Sequence, residues 1–227
     1  MGHPVCCRCD REAQRMTGTM AKRLFDIICS LLGLLVLSPV FMVVAVLVKL
    51  DSKGPVFFRH ARIGKDFRPF RVYKFRTMRE GAEQCGSSVT VGHDERVTRL
   101  GRFLRRTKVD ELPQLLNVLK GDMSFVGPRP EVKEYVDLYP SEYRQLLTVR
   151  PGITDPASLQ YSEEEKVLAE SPNWEEDYRN RVLPDKIRLS LQYVDNHSLV
   201  TDLLLILETI MKTSGLKRDE EQVHKNI

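Results

Sequence analysis

The stretch from Leu24 to Val48 reads LFDIICSLLGLLVLSPVFMVVAVLV, and Asp26 is its one charged residue. A run of that length and composition can cross a bilayer. Ser38-Pro39 interrupts it near the middle, and both flanks are basic: Lys22 and Arg23 before it, Lys49, Lys53 and Arg59 after it. Proline removes a rung of the helical ladder, and a neighbouring serine can bond the freed carbonyl. Basic residues are retained on the cytoplasmic side, so neither end is favoured to leave. Each half spans about 20 Å, short of the ~30 Å hydrocarbon core. The sequence therefore predicts a re-entrant helix over 22–50, hinged at Ser38 and Pro39, that dips into one leaflet and returns. A kinked single-pass helix is the alternative.

With 227 residues, the chain has room for one further domain beyond this segment. The expected organisation is an N-terminal mobile arm over 1–21, the membrane helix over 22–50, a catalytic domain over 51–215 and a charged tail over 216–227. The net charge is only +4, but Arg96, Arg99, Arg102, Arg105, Arg106 and Lys108 fall in one short run. A basic zone beside a membrane segment suits an anionic partner, whether phosphorylated substrate, lipid headgroup or nucleic acid. A solvated basic face against anionic lipid is the plainer reading. The five cysteines make no disulfide framework, and Cys6, Cys7 and Cys9 with His3 lack the second ligand pair of a closed zinc site. The first residues have no apolar core of a secretory signal.

Downstream, aromatic and β-branched residues flank Gly64, predicting a β-hairpin within 55–76. Alternation places Val72, Lys74 and Arg76 on one face of its second strand. Residues 79–95 are polar and Gly/Ser-rich, a mobile loop by composition, and residues 100–106 read as a short basic helix. Leu112, Leu115, Leu116 and Leu119 share one helical face. Because Pro113 is tolerated only in a first turn, that helix should start at or just before Asp110 and end at Gly121. Residues 125–130 (FVGPRP) and 150–156 read as rigid irregular loops, and 131–147 as one surface helix. Residues 186–194 and 202–211 read as amphipathic helices, the second apolar enough to lie in a membrane interface. The fold class is α+β and mainly helical: a re-entrant helix, a compact globular domain with a small hairpin, and interfacial helices.

Asp110 and Glu111 are the candidate catalytic pair. At a helix start the dipole favours ionised carboxylates, and adjacent ones can divide two jobs, attack and cation binding. Magnesium takes oxygen ligands and usually brings phosphates with it. Acidic residues also cap helices, and that reading stands beside the catalytic one. In Gly127-Pro128-Arg129-Pro130, two prolines fix the backbone around one arginine, whose planar fork suits a phosphate or a uracil edge; a rigid turn with an incidental arginine is the plainer reading. Arg150, before Pro151-Gly152, repeats the arrangement.

The ordered segments KRLFDII, LSP, YKFRTM, RLGRFLRRTKVDELPQLLNVLKGDMSFVGPRP and VRPGIT resemble the bacterial sugar transferase family, from Lys22 to Thr154 and more loosely to Met211. The resemblance implies a monotopic phosphoglycosyl transferase of the family's minimal form, on the cytoplasmic face of the bacterial inner membrane. It implies transfer of a sugar 1-phosphate from a UDP-sugar to a polyprenyl phosphate, with release of UMP and with Mg2+ as cofactor. Asp110 matches the family's nucleophile, Glu111 its metal-binding partner, Arg129 its substrate-contacting arginine and Arg105 a basic residue at the phosphate site. Arg76 and Arg150 complete the expected substrate-binding set. The expected partners are the UDP-sugar, polyprenyl phosphate and one membrane leaflet, with a homodimer as an option and no nucleic acid. After VRPGIT the chain reads DPASLQYSEEE, where many members carry a Gly-Trp-Ala-Gln-like run; this departure leaves the sugar open. The rival class is a non-enzymatic, membrane-anchored basic module binding acidic lipid or nucleic acid. It gives Asp110, Glu111 and the Pro-Arg-Pro loop no job, and its basic run lacks interleaved aromatics for stacking.

Overall fold

The computed structural model describes residues 7–81, 94–162 and 164–214, with backbone alone for 7–18 and 165–167. The Cys-rich segment's side chains and most of the polar loop expected at 79–95 lie outside the described residues. The described backbone is helical from its first residue, inside the expected arm, and α1 runs over Cys7–Val36. Helix α2 covers Ser38–Asp51 with Pro39 in its first turn, where the missing N–H costs no intrahelical bond. The two axes bend by 61° at this break. Ser38 Oγ donates to the Leu35 carbonyl at 2.8 Å, satisfying an acceptor that the break exposes. Among the described residues no single helix is long and apolar enough to cross a membrane; the bent pair together is.

Strands β1 (Phe57–Ile63) and β2 (Pro69–Phe75) form the expected antiparallel hairpin, in register from Phe57 opposite Phe75 to Ile63 opposite Pro69. Helix α3 (Arg99–Arg106) is the basic helix. The next segment is not one helix from Asp110. Val109–Gln114 is a 3₁₀ turn containing Pro113, and α4 (Leu115–Lys120) follows, capped by Gly121 at φ 93°. A proline disfavours α geometry in the residue before it, and the tighter turn accommodates that.

Two expected loops turn out to pair. Ser124–Val126 is β3 and Gly152–Thr154 is β4, a short parallel ladder that leaves residues 127–130, 150–151 and 155 of the two loops irregular. Prolines mask this pairing in the sequence, yet each lies outside the paired residues. Gly127 and Gly152 are what permit it: a Cβ on Gly127 would sit 2.3 Å from the Arg150 carbonyl oxygen.

The single surface helix expected over 131–147 is instead α5 (Lys133–Val136) and α6 (Pro140–Leu146), restarted by Pro140. Their Tyr135, Val136, Tyr143 and Leu146 join Leu183 and Ile187 in the largest core cluster. Short helices α7 (Pro156–Gln160), α8 (Glu164–Ala169) and α9 (Trp174–Asp177) lead through a π turn at Tyr178–Val182 into α10 (Leu183–Asn196) and α11 (Leu199–Thr213). Helix α11 is inverted relative to a soluble helix. Asp202 is buried, whereas Leu203, Leu204, Leu207 and Ile210 are exposed. An apolar face of this size marks a lipid or protein contact.

Both ends of the apolar pair dock on the globular part. Near the start, Arg23 donates to the carbonyls of Val118 and Leu119 at the end of α4. At the far end, Val44 and Val48 pack into a core cluster with Phe75 and Leu104.

Candidate active site

The site is built where β2 crosses the 3₁₀ turn. Asn117, fully buried on α4, accepts from the Tyr73 N–H at 2.9 Å and donates to the Arg71 carbonyl at 2.8 Å. One side chain thus completes the edge of β2 and fixes its register against the Asp110 turn. Lys108, at φ 57° and ψ 14°, makes the left-handed step that swings the chain from α3 into that turn.

Glu111 is clamped by two cations. Lys74 Nζ lies 2.7 Å and Arg129 Nη2 2.9 Å from the same oxygen, Oε1. Burial opposes its charge, but Arg129 and then Lys74 outweigh that and hold its carboxyl well below the usual range. The pKa of Lys74 is lowered too, by its own burial, with Glu111 resisting. Asp110 behaves oppositely to its neighbour. It is buried, its Oδ1 has no hydrogen-bond partner, and burial raises its pKa to about 6 against the pull of Lys74. Two adjacent carboxylates are thereby split: Glu111 is a fixed anion within an ion-pair clamp, and Asp110 is an unsolvated, underpartnered group. A carboxylate stripped of hydrogen bonds is a better nucleophile than a hydrated one.

The expected arginines separate. Arg129 joins the pair directly. Arg105 stands close enough to lower the pKa of Asp110, while its Nε donates to Thr77 Oγ1 at 3.0 Å. Arg76 is buried elsewhere, donating to the carbonyls of Val48 and Ser52 at the end of α2, at 3.3 and 2.6 Å. Arg150 donates to the Gly121 carbonyl at 2.9 Å. These two brace backbone in this structure, and neither contacts the carboxylate pair. Lys74 is the residue that the site adds. Its place beside Val72 and Arg76 on one strand face was readable, but its partner was not.

No group of three or more His, Cys, Asp or Glu among the described residues could enclose a metal. The donor set nevertheless suits a magnesium ion: Asp110 Oδ1 is unpartnered, and Glu111 presents a second oxygen beyond the clamped one. Such an ion takes one or two carboxylates and completes its shell with phosphate and water.

Known proteins are similar to this chain in sequence. Residues 17–215 match the family model described as bacterial sugar transferase. An exopolysaccharide production protein PSS of Rhizobium leguminosarum is 44% identical over 198 residues, covering 84% of this chain and 93% of its own length. A UDP-N-acetylgalactosamine-undecaprenyl-phosphate N-acetylgalactosaminephosphotransferase of Aeromonas hydrophila is 40% identical over 194 residues, with 83% of this chain but 42% of that protein covered. A UDP-glucose:undecaprenyl-phosphate glucose-1-phosphate transferase of Escherichia coli is 36% identical over 200 residues, with 85% and 40% covered. This chain thus spans less than half of the two larger relatives and nearly all of the smaller one. With its motifs in order and the match running almost end to end, the chain belongs to the bacterial sugar transferase family.

Proposed function

We propose that the protein is a membrane-bound phosphoglycosyl transferase that moves a sugar 1-phosphate from a UDP-sugar to a polyprenyl phosphate in bacterial polysaccharide assembly. The observation that carries this reading is the split pair: a buried Asp110 with an open oxygen beside a Glu111 held ionised by Lys74 and Arg129. An Asp110 oxygen attacks the β-phosphorus of the UDP-sugar. The bond from that phosphorus to the bridging oxygen breaks, and UMP leaves with the oxygen. A phosphate oxygen of the polyprenyl acceptor then attacks the same phosphorus, the aspartyl–phosphorus bond breaks, and the carboxylate is restored. Arg129 and Arg105 offset charge on the transferring phosphate, and Lys74 keeps Glu111 oriented. Glu111 would hold magnesium, whose charge would offset that of the diphosphate.

The membrane is the source of the acceptor. Both ends of the α1–α2 pair dock on one globular unit, which supports a re-entrant path from the cytoplasmic face into one leaflet rather than a single crossing. The exposed apolar face of α11 supports a second contact with the same interface.

The test uses a UDP-sugar labelled in the sugar, with lipid acceptor omitted. The expected result is a sugar-phosphate adduct on the peptide containing Asp110 and an equivalent amount of UMP. Release of UMP only when acceptor is present, with no adduct trapped, would assign a direct transfer and make Asp110 a base.

A further inference from the structure

The loop that carries Arg129 has few donors of its own, since Pro128 and Pro130 lack N–H groups. It is held mainly through its carbonyl oxygens, gripped from β4, β1 and α1. The Pro128 carbonyl accepts from the Gly152 N–H of β4 at 3.0 Å, and the Glu131 carbonyl from the Ile63 N–H of β1 at 3.0 Å. The Pro130 carbonyl accepts from Arg62 Nη1 at 3.3 Å. The Val126 carbonyl, at the loop's entry, accepts from Lys22 Nζ at 2.9 Å.

Lys22 belongs to α1, at the base of the apolar hairpin. Its other two protons go to the Tyr193 hydroxyl at 3.0 Å and to Asp202 Oδ2, so all three donors are used. Asp202 is 3% exposed at its side chain, and Tyr193 donates to its second oxygen at 2.5 Å. Four residues on, Asp26 accepts from Ser124 Oγ and from the Phe125 N–H, both at 3.2 Å. Helix α1 therefore grips β3 immediately before Gly127. The neighbouring Arg23 faces elsewhere, to the carbonyls that end α4.

We infer that Lys22 is a positioning residue: by holding the Val126 carbonyl it sets the Arg129 loop, so that docking of the membrane hairpin and readiness of the diphosphate-binding arginine are one event. A lysine at this place also satisfies the basic flank of a membrane segment, but so does Arg23, and only Lys22 of the two reaches β3. The inference rests on the proposed function for its kinetic consequence and on geometry alone for its structural one.

The experiment compares wild type, Lys22→Met and Arg23→Met, full length in lipid nanodiscs, by amide hydrogen exchange and by UMP release. Each variant loses one charge from the same flank. Lys22→Met is expected to raise exchange in peptides spanning 124–131 while leaving 115–121 protected. It should raise KM for the UDP-sugar about tenfold with a smaller change in kcat, as removal of one charge-assisted bond affecting ground and transition states alike does. Arg23→Met should show the reverse exchange pattern. If Lys22→Met does not fold, Asp202→Asn, which leaves Lys22 without its countercharge, is read in the same way. Equal effects of the two substitutions, or unchanged protection of 124–131, would overturn the inference and leave Lys22 a general anchor. A wild type that releases no UMP would sink the proposed function, while the exchange pattern would still decide the positioning role.

Discussion

Arg129 and Glu111 share a 2.9 Å bond between Nη2 and Oε1, although the strand β3 and all of α4 separate them in the chain. Arg129 is thus oriented by the carboxylate next to Asp110. Replacing Glu111 by Gln should weaken that bond and the one from Lys74 together. The expected outcome is a fall in kcat/KM of about ten- to a hundredfold, the loss of one charge-assisted bond of about 1.5 to 3 kcal/mol. Steady-state UMP release across a magnesium series checks it, and the half-maximal magnesium concentration should rise as well. A variant with unchanged kcat/KM would remove the clamp from the chemistry.

Asp110 has two pH signatures. Its folded-state pKa lies near 6, raised by burial from the usual 3.8, so Asp110 is protonated at acid pH. The rate of adduct formation should therefore fall below about pH 6 and level off above it. Stability runs the other way. Between the two pKa values the folded protein binds a proton that the unfolded chain has lost, so stability declines as pH rises through this window. Asp110→Asn removes that penalty while abolishing the adduct. Its melting temperature relative to wild type should climb between pH 4 and 7 and then stay level; a constant difference would contradict the raised pKa.

Asn117 should matter without touching substrate. Asn117→Leu removes the half-buried bonds to the Tyr73 N–H and the Arg71 carbonyl, at a cost of about 1 to 3 kcal/mol. Denaturant or thermal unfolding in detergent measures it. Because β2 also carries Lys74, activity should fall further than the residual folded fraction explains.

Pro39 tests the hairpin. In Pro39→Ala the break can straighten, yet the end of α2 stays tied by Arg76 to the carbonyls of Val48 and Ser52. Cysteine labelling at positions 19 and 53 should therefore still report one side of the membrane. Pro39→Ala combined with Arg76→Met is expected to move position 53 to the opposite side. Loss of same-side labelling in Pro39→Ala alone would make proline the sole determinant of topology.

By itself the sequence specified what depends on neighbours in the chain. The break at Ser38-Pro39, the hairpin around Gly64, the basic helix and the acidic pair beside Pro113 all follow from local backbone chemistry and side-chain periodicity. Motif order carried the family. Tertiary structure decided what depends on partners far along the chain. Gly127 and Gly152 allow β3 and β4 to pair only because their backbones approach closely, which prolines on either side conceal in a linear reading. All four arginines were expected at the substrate, but packing sent Arg129 to Glu111 and turned Arg76 and Arg150 onto carbonyls. Asp110 and Glu111, identical in charge and adjacent in the chain, became different acids because Lys74 and Arg129 converge on only one of them. Periodicity places a side chain on a face; which charges meet it there is set by the long-range packing of the whole chain.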